Sequence, residues 1–283
     1  MDIASKHNKL SRILIICLFT IFAVFALLPF YFLIVSAFKP GVEMVRYGIT
    51  LNPHFEKFTL NQFRLLFNPK ESNYFYWYKN SLLYTGVQTI LGLALTSMVG
   101  YALGVYKNFR YRNIVFIMVL LVMMIPIEIM ILPLYKEMVF FKFFDNIWGV
   151  VLPFVVFPSA VFFFRQYSLG LPLELMDSSR IDGLTEYGIF VRIMVPLMKP
   201  AFGAMAILIS MNSWNAVVWP MVVLRSSKKL TIPIGLSTLI TPYGNNYDLL
   251  MPGAVLSVVP IIILFMLNQK AFIEGLTAGS IKG

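Results

Sequence analysis

Long apolar runs alternate with short polar segments along this chain. Six of the runs are long enough to cross a bilayer as helices, since about 20 helical residues span the hydrocarbon core. They cover approximately residues 13–38, 80–106, 113–134, 146–164, 201–224 and 251–268. The pattern predicts an all-α membrane protein in which six transmembrane helices form a single domain over residues 1–283.

The second apolar run is rich in small residues, which let helix backbones approach one another closely in lipid. These residues are Gly86, Gly92, Ala94, Gly100, Ala102 and Gly104. We therefore expect this helix to pack tightly against at least one neighbour.

A charged segment separates the fourth run from the fifth and covers residues 171–199. Charges cost a few kcal/mol or more at the bilayer centre, so this segment must lie in water or against a partner at one membrane face. Its pattern predicts two short helices with a turn at Asp182-Gly183, because glycine can adopt the left-handed conformation that ends a helix. Thr185 is a suitable N-cap for the second helix. A solvated loop between membrane helices remains open as an alternative.

Composition supports a membrane protein. The chain is 59% hydrophobic and 13% charged, whereas soluble domains are about 45–50% apolar and about 25% charged. The net charge of +10 suits anionic lipid head groups, and no basic run with interleaved aromatics predicts nucleic-acid binding. The single cysteine, Cys17, excludes an intrachain disulfide.

The sequence predicts no catalytic site and no metal site. Its two histidines, His7 and His54, lie far apart, and no pair of metal ligands has a recognisable spacing. The chain also lacks the G-x-x-x-x-G-K-[ST] phosphate loop. We therefore expect no cofactor on this chain, and any ATP chemistry must come from another subunit.

The spacing within the charged segment resembles the cytoplasmic "EAA" signature of importer-type ABC permeases. That signature is Glu-Ala-Ala, three residues, Gly, nine residues and Ile-x-Leu-Pro. The matching residues here are Asp177-Ser178-Ser179, Gly183 and Ile193-x-Val195-Pro196. Asp177 replaces the Glu, the two serines replace the alanines, and Val195 replaces the Leu. The resemblance implies that this segment contains the coupling helix, which docks on the ATP-hydrolysing subunit.

Further segments resemble the second, maltose-type permease subunit of carbohydrate importers. They are Asn80-Ser81-Leu82, Tyr101-Ala102-Leu103, Pro126 with Pro133-Leu134-Tyr135, Arg165-Gln166-Tyr167 and Gly275-Leu276-Thr277-Ala278-Gly279. The resemblance implies the ABC type I importer permease fold and a permease subunit of an ATP-driven, binding-protein-dependent oligosaccharide importer that works by alternating access. A permease for a non-sugar solute such as glycerol phosphate, or a stand-alone secondary transporter, is the alternative.

The resemblance also implies three groups of site residues. The ATPase-coupling helix comprises Glu174, Asp177, Ser178, Ser179, Arg180, Asp182 and Gly183. Asn212, Trp214 and Asn215 are assigned to the substrate pathway, and Glu128 joins them because an ionisable residue inside an apolar span is a functional candidate by itself. Hydrogen bonding between helices is the alternative role for the fifth-run residues, and a carboxylate satisfied at a helix break is the alternative for Glu128. Tyr243, Gly244, Asn245, Asn246 and Tyr247 form the expected binding-protein contact loop, unless this stretch is a simple external turn.

The implied partners are a second permease subunit in a heterodimer, two copies of the ATPase subunit that hold ATP and Mg, an extracytoplasmic solute-binding protein, a sugar and the lipid bilayer. The expected location is the bacterial cytoplasmic (inner) membrane, with multiple passes and both termini cytoplasmic. Lys and Arg are divided almost evenly between the two sides, although the basic turn Lys107–Arg112 favours this orientation. The family resemblance decides it.

Overall fold

Helices dominate the part of the chain that this computed structural model describes, which is residues 3–48, 54–242 and 244–277. The α-helices are α1 (Ile3–Ala37), α2 (Gly41–Tyr47), α3 (Asn61–Phe67), α4 (Tyr74–Val105), α5 (Arg112–Met123), α6 (Ile127–Phe140), α7 (Ile147–Val151), α8 (Pro158–Ser168), α9 (Glu174–Ile181), α10 (Glu186–Ile189), α11 (Val195–Leu197), α12 (Lys199–Trp214), α13 (Val218–Val223), α14 (Ile232–Ser237) and α15 (Tyr247–Thr277). Short 3-10 turns cover Phe55–Lys57, Leu152–Phe154 and Ser227–Lys229, and a π-helical turn covers Phe190–Met194. The predicted helical class is confirmed.

One small sheet departs from the all-α prediction. Strands β1 (Ile240–Thr241) and β2 (Gly244–Asn245) pair antiparallel, with Ile240 opposite Asn245. Thr241 lies opposite Gly244, and each strand has only two residues, so the sheet is a local feature of the loop before α15.

Four stretches are each long and apolar enough to cross a membrane. They are Ser11–Ala37, Tyr74–Val105, Lys199–Val223 and Tyr247–Glu274. Two bent pairs complete the six predicted spans if each pair is one span: α5 with α6, bent by 104°, and Ile147–Phe154 with α8, bent by 44°. The third run is therefore a bent pair of helices, α5 and α6. Pro126, which lacks a backbone N–H, is the N-cap of α6 at the bend.

The chain forms two compact units, and residues 1–74 with 238–258 form the first. Within it, one carboxylate oxygen of Asp248 accepts hydrogen bonds from the Gly41 backbone N–H at 2.7 Å and from the Gln62 amide at 3.4 Å. The buried Tyr74 hydroxyl donates to the Gly253 carbonyl at 2.8 Å. These bonds fix the start of α15 against α2 and α3.

The second unit comprises residues 75–237 and 259–283 and holds the larger core. Glycines of α4 allow a close approach to α8: a Cβ on Gly100 would lie 2.5 Å from the Phe164 Cβ, and one on Gly104 would lie 2.7 Å from the Ser168 Cβ. The close packing predicted for the second run is thus found at these two glycines. At Gly86 it is not, because a Cβ there would meet nothing within 4 Å.

A candidate coupling surface and a candidate substrate cavity

The charged segment is folded as two short helices joined by a tight turn. α9 ends at Ile181, and Gly183 follows with a φ of 83°, the left-handed conformation expected of it. The Gly183 N–H donates to the Arg180 carbonyl at 3.0 Å. Thr185 then caps α10, its hydroxyl accepting the Gly188 N–H at 3.1 Å. The helix–turn–helix prediction for this segment is therefore confirmed.

Arg180 joins the two helices through ion pairs. Its guanidinium contacts an Asp177 carboxylate oxygen at 2.8 Å and a Glu186 carboxylate oxygen at 2.7 Å. A second bond to Glu186, at 3.2 Å, makes that contact bidentate. Glu186 raises the pKa of Arg180, and Arg180, followed by Tyr106, lowers the pKa of Glu186. Both groups are therefore charged across the physiological pH range.

The inner side of α9 is anchored in the core of the second unit. Met176 and Ser179 are buried, and the Met176 sulfur accepts the Tyr101 hydroxyl at 3.5 Å. Tyr106 donates its hydroxyl to Glu186 at 2.5 Å, so the end of α4 holds the second helix as well. The charged segment is therefore joined to the C-terminal end of α4 and to the residue that follows it.

The outer side of the charged segment remains uncovered. Ile181 is 87% exposed and Tyr187 68% exposed, so two large apolar side chains stand on the surface of this polar segment. A cleft of about 300 Å³ lies between the turn after α4 and α9, with Lys107, Asp177 and Arg180 in its lining. Glu174, Ser178 and Asp182 are also exposed. This surface therefore combines charged groups with exposed apolar side chains.

Asn212 is the residue of the predicted substrate pathway that lines a cavity. This α4–α12 cavity has a volume of about 250 Å³ and is lined mainly by α4, the turn after α7, α12 and α13. The Asn212 amide donates to the Leu208 carbonyl at 2.9 Å. Trp219 and Phe154 form part of its apolar wall.

The other three predicted pathway residues do not line this cavity. Trp214 is buried and makes an edge-to-face contact with Tyr78. Asn215 is exposed and donates to the Met211 carbonyl one turn earlier. Glu128 lies exposed in the first turn of α6, next to Ile127, which does line the cavity.

The predicted binding-protein loop lies between β1 and α15, and its Tyr243 falls outside the described residues. Gly244 has a φ of 145° and belongs to β2. Asn245 accepts the Thr241 N–H at 3.2 Å and donates to the Tyr247 hydroxyl at 2.9 Å. Asn246 accepts the Leu249 N–H and so begins α15. The loop is therefore a hydrogen-bonded hairpin rather than an open turn.

Asp145 organises a site that the sequence did not reveal. Its carboxylate accepts the backbone N–H groups of Arg225 and Ser226, the Ser226 hydroxyl and the Lys229 ammonium. Burial raises the pKa of Asp145, but these hydrogen bonds outweigh it and lower the pKa to about 2. Trp77 and Asn80 bind the carbonyls of Ser227 and Lys228 in the same loop. An isolated aspartate between two apolar runs carries no sequence signal for this arrangement.

Glu186 and Tyr106 are a second omission from the sequence-based site. Neither is one of the residues that the signature specifies, and a polar contact between residues 80 positions apart has no local pattern. Anywhere in the described part of the chain, no group of three or more His, Cys, Asp or Glu side chains is placed to hold a metal ion.

Known proteins similar to this chain are membrane subunits of transporters. The family described as "Binding-protein-dependent transport system inner membrane component" matches residues 96–277. The arabinooligosaccharides transport system permease protein AraQ of Bacillus subtilis (strain 168) is 50% identical over 279 residues, which are 99% of each chain. The protein of the same name from Halalkalibacterium halodurans is 51% identical over 265 residues, 94% of each chain.

A solved structure shares the fold. It is the crystal structure of a bacterial ABC transporter involved in the import of the acidic polysaccharide alginate, and one of its chains matches with a TM-score of 0.80. The match covers 94% of this chain and 98% of that chain at 21% sequence identity. At that identity the likeness establishes the fold alone, which agrees with the permease fold implied by the sequence.

Proposed function

Because this chain belongs to the family of binding-protein-dependent transport system inner membrane components, and is an integral inner membrane permease subunit of a carbohydrate ABC importer, we propose that its substrates are arabinose-containing oligosaccharides. The observation that carries this proposal is 50% identity to AraQ over 99% of both chains. Identity at this level across the whole length includes the parts of the chain that surround any substrate path.

The coupling surface is the part of this chain that receives the work of ATP hydrolysis. The exposed side of α9 and the turn to α10 supply the contact, with Asp177, Arg180 and Gly183 at its centre. Glu174, Ser178 and Asp182 extend the exposed contact, while Ser179 faces inward and lets α9 lie close to the core. The ATPase must contact this surface differently in its two states, since equal binding to both states shifts no equilibrium.

The remaining assignments follow from this function. ATP and Mg are held by two copies of a separate ATPase subunit, and this chain has no nucleotide site and no cofactor of its own. A second permease subunit completes a heterodimer around the sugar path, and both termini lie on the cytoplasmic side with the charged segment. An extracytoplasmic solute-binding protein contacts the hairpin of Gly244, Asn245 and Asn246.

Reconstitution of the complete importer tests the substrate. Proteoliposomes that contain this chain, its partner permease, the ATPase and the binding protein are supplied with labelled arabinotriose or maltotriose. We expect ATP-dependent uptake of arabinotriose and little uptake of maltotriose. Uptake of maltotriose alone would show that the substrate is wrong, while the importer assignment would stand.

Two variants of the charged segment test the coupling assignment. Gly183→Pro cannot adopt a positive φ and loses the N–H that donates to Arg180, and Asp177→Lys places a like charge beside Arg180. We expect both proteins to reach the membrane and assemble, with ATP hydrolysis no longer linked to uptake. Normal uptake per ATP in either variant would rule out the coupling role.

A further inference from the structure

The α4–α12 cavity has polar groups without partners in its wall. The hydroxyl oxygens of Thr85 and Thr231 are shielded from solvent, and neither has a hydrogen-bond partner among the described residues. A buried hydroxyl without a partner costs free energy, so native proteins contain few of them and those that persist usually have a role. Two such hydroxyls in the wall of one cavity indicate that a ligand binds there and forms hydrogen bonds with them.

These two hydroxyls can rotate without breaking a hydrogen bond within the described residues. Rotation about the Cα–Cβ bond of a threonine places the hydroxyl in another staggered position, and neither side chain has a hydrogen bond to lose in doing so. By contrast, the hydroxyl of Thr96 on the same helix is bound to the Gly92 carbonyl at 2.6 Å. Thr96 is fully buried and does not line the cavity.

The rest of the wall is held in a fixed arrangement. Gln88 donates to the Phe154 carbonyl at 3.1 Å and accepts the Ser213 hydroxyl at 2.9 Å. The Trp219 indole is oriented by a 2.9 Å bond to the Gly149 carbonyl and packs edge-on against the Phe154 ring. Fixed aromatic and amide groups beside adaptable hydroxyls are the features that give a small-molecule site its orientation and specificity.

The charge and size of the cavity restrict the guest. Among the described residues, none of those that line it is charged, so a phosphate or carboxylate would enter without a counterion. A volume of about 250 Å³ has room for several water molecules, or for one small polar guest such as a sugar ring with its hydroxyls. Hydroxyls both donate and accept hydrogen bonds, so a sugar can satisfy threonine and amide partners together.

From this geometry we propose that the α4–α12 cavity is a binding subsite of this permease subunit for one uncharged sugar residue of the transported oligosaccharide, with the hydroxyls of Thr85 and Thr231 as its hydrogen-bonding groups. The proposal rests on the proposed function for its ligand. Gln88 lies 13 residues before Tyr101 on α4, which is about 20 Å along the helix axis, so one rigid helix connects the subsite with the coupling surface.

Removal of the two hydroxyls tests the subsite in the reconstituted importer. Thr85→Val and Thr231→Val keep the side-chain shape and remove the hydrogen-bonding group. We expect each variant to lower the maximal uptake rate by roughly 3- to 10-fold, because each loses one hydrogen bond to the sugar and a factor of this size corresponds to one such bond. The sugar concentration for half-maximal uptake should change little, because the binding protein delivers the sugar. Thr85→Ser keeps the hydroxyl and should therefore transport much faster than Thr85→Val. The matched control is Thr96→Val, which we expect to transport at the wild-type rate.

Thermal stability separates a sugar contact from a structural role. Removing a hydroxyl that has no partner in the protein should leave the melting temperature of both valine variants unchanged or slightly higher. Slower uptake at unchanged stability would support the subsite. A lowered melting temperature would instead mean that the hydroxyls stabilise the fold through bound water, and uptake at the wild-type rate would mean that no sugar contacts them. Either result would overturn the proposal.

The same experiment tests the subsite separately from the proposed identity of the transported sugar. Each variant is compared with wild type on whichever of arabinotriose and maltotriose the wild type imports. If that sugar is maltotriose, the substrate proposal fails while the subsite is still decided by the variant rates. If the wild type imports neither, both proposals fail.

Discussion

Single residues were predictable from this sequence when their role depends on local backbone geometry. Gly183 and Thr185 follow directly from the requirements of a helix end and a helix start, and both adopt the predicted conformations. Arg180 was predicted as a member of the coupling helix, but its bidentate contact to Glu186 was not. That contact crosses the turn between two helices, so it depends on the angle between them.

Replacement of Arg180 tests this contact. We expect Arg180→Gln to weaken the link between ATP hydrolysis and uptake, because α9 and α10 lose the side chain that joins them. The melting temperature should change little, since exposed ion pairs add little to stability. The measurement is the number of sugars imported per ATP hydrolysed.

The matched control is Arg192→Gln, which removes an exposed arginine of the same segment that has no ion pair among the described residues. An equal loss of coupling in the control would show that coupling depends on the net charge of the segment and does not depend on the ion pair between Arg180 and Glu186.

For Asp145 we predict the opposite behaviour, which is an effect of the substitution on stability. Asp145→Asn keeps the shape of the side chain and removes the charge that the Arg225, Ser226 and Lys229 donors bind. We expect a loss of about 1–2 kcal/mol at neutral pH, because hydrogen bonds to a charged group are stronger than neutral ones. In a thermal melt this corresponds to a melting temperature lower by a few degrees.

The pH dependence of the Asp145 contribution has a definite sign. Its pKa lies near 2 in the folded protein, below the ordinary value of 3.8, so the stabilisation is present above pH 3.8 and is lost as the pH falls toward 2. The difference in melting temperature between wild type and Asp145→Asn should therefore shrink over this range. A constant difference, or a similar effect of the exposed loop variant Glu71→Gln, would contradict the assignment.

At the scale of elements, packing separates glycines that look alike in the sequence. Gly86 and Gly100 both lie within α4, yet a Cβ would meet nothing at the first and backbone and side-chain atoms of α8 below 3 Å at the second. We expect Gly100→Val to push α4 away from α8 and to cost about 1–3 kcal/mol through overpacking. Gly86→Val is its matched control, and thermal stability in detergent measures both. Equal destabilisation by the two variants would mean that the close approach of α4 to α8 is unimportant.

At the same scale, prolines explain where two of the predicted spans are bent. Pro126 and Pro158 break the third and fourth runs because proline cannot donate a helical hydrogen bond, and the bends are 104° and 44°. The sequence shows that a proline interrupts the helix. The size of the bend depends on what the two halves pack against.

At the scale of the whole molecule, the prediction concerns assembly. When the tagged chain is purified in mild detergent, mass spectrometry should identify a nucleotide-binding ATPase subunit and a second permease subunit. The charged, partly apolar outer side of α9 would otherwise stay exposed to water. A lone chain or homo-oligomer that transports sugar in liposomes without ATP would contradict the predicted assembly.

The sequence by itself determined the membrane location, the number of apolar runs and the helix–turn–helix of the charged segment, because these depend on local composition and on spacings of a few residues. The spacing around Gly183 also determined the family resemblance. Only the tertiary structure decided which polar residues meet: Asp145 with the loop at Ser226, Tyr106 with Glu186, and Thr85 with Thr231 at one cavity. These pairs lie 80 or more positions apart, and helix packing brings them together without leaving a pattern in the chain.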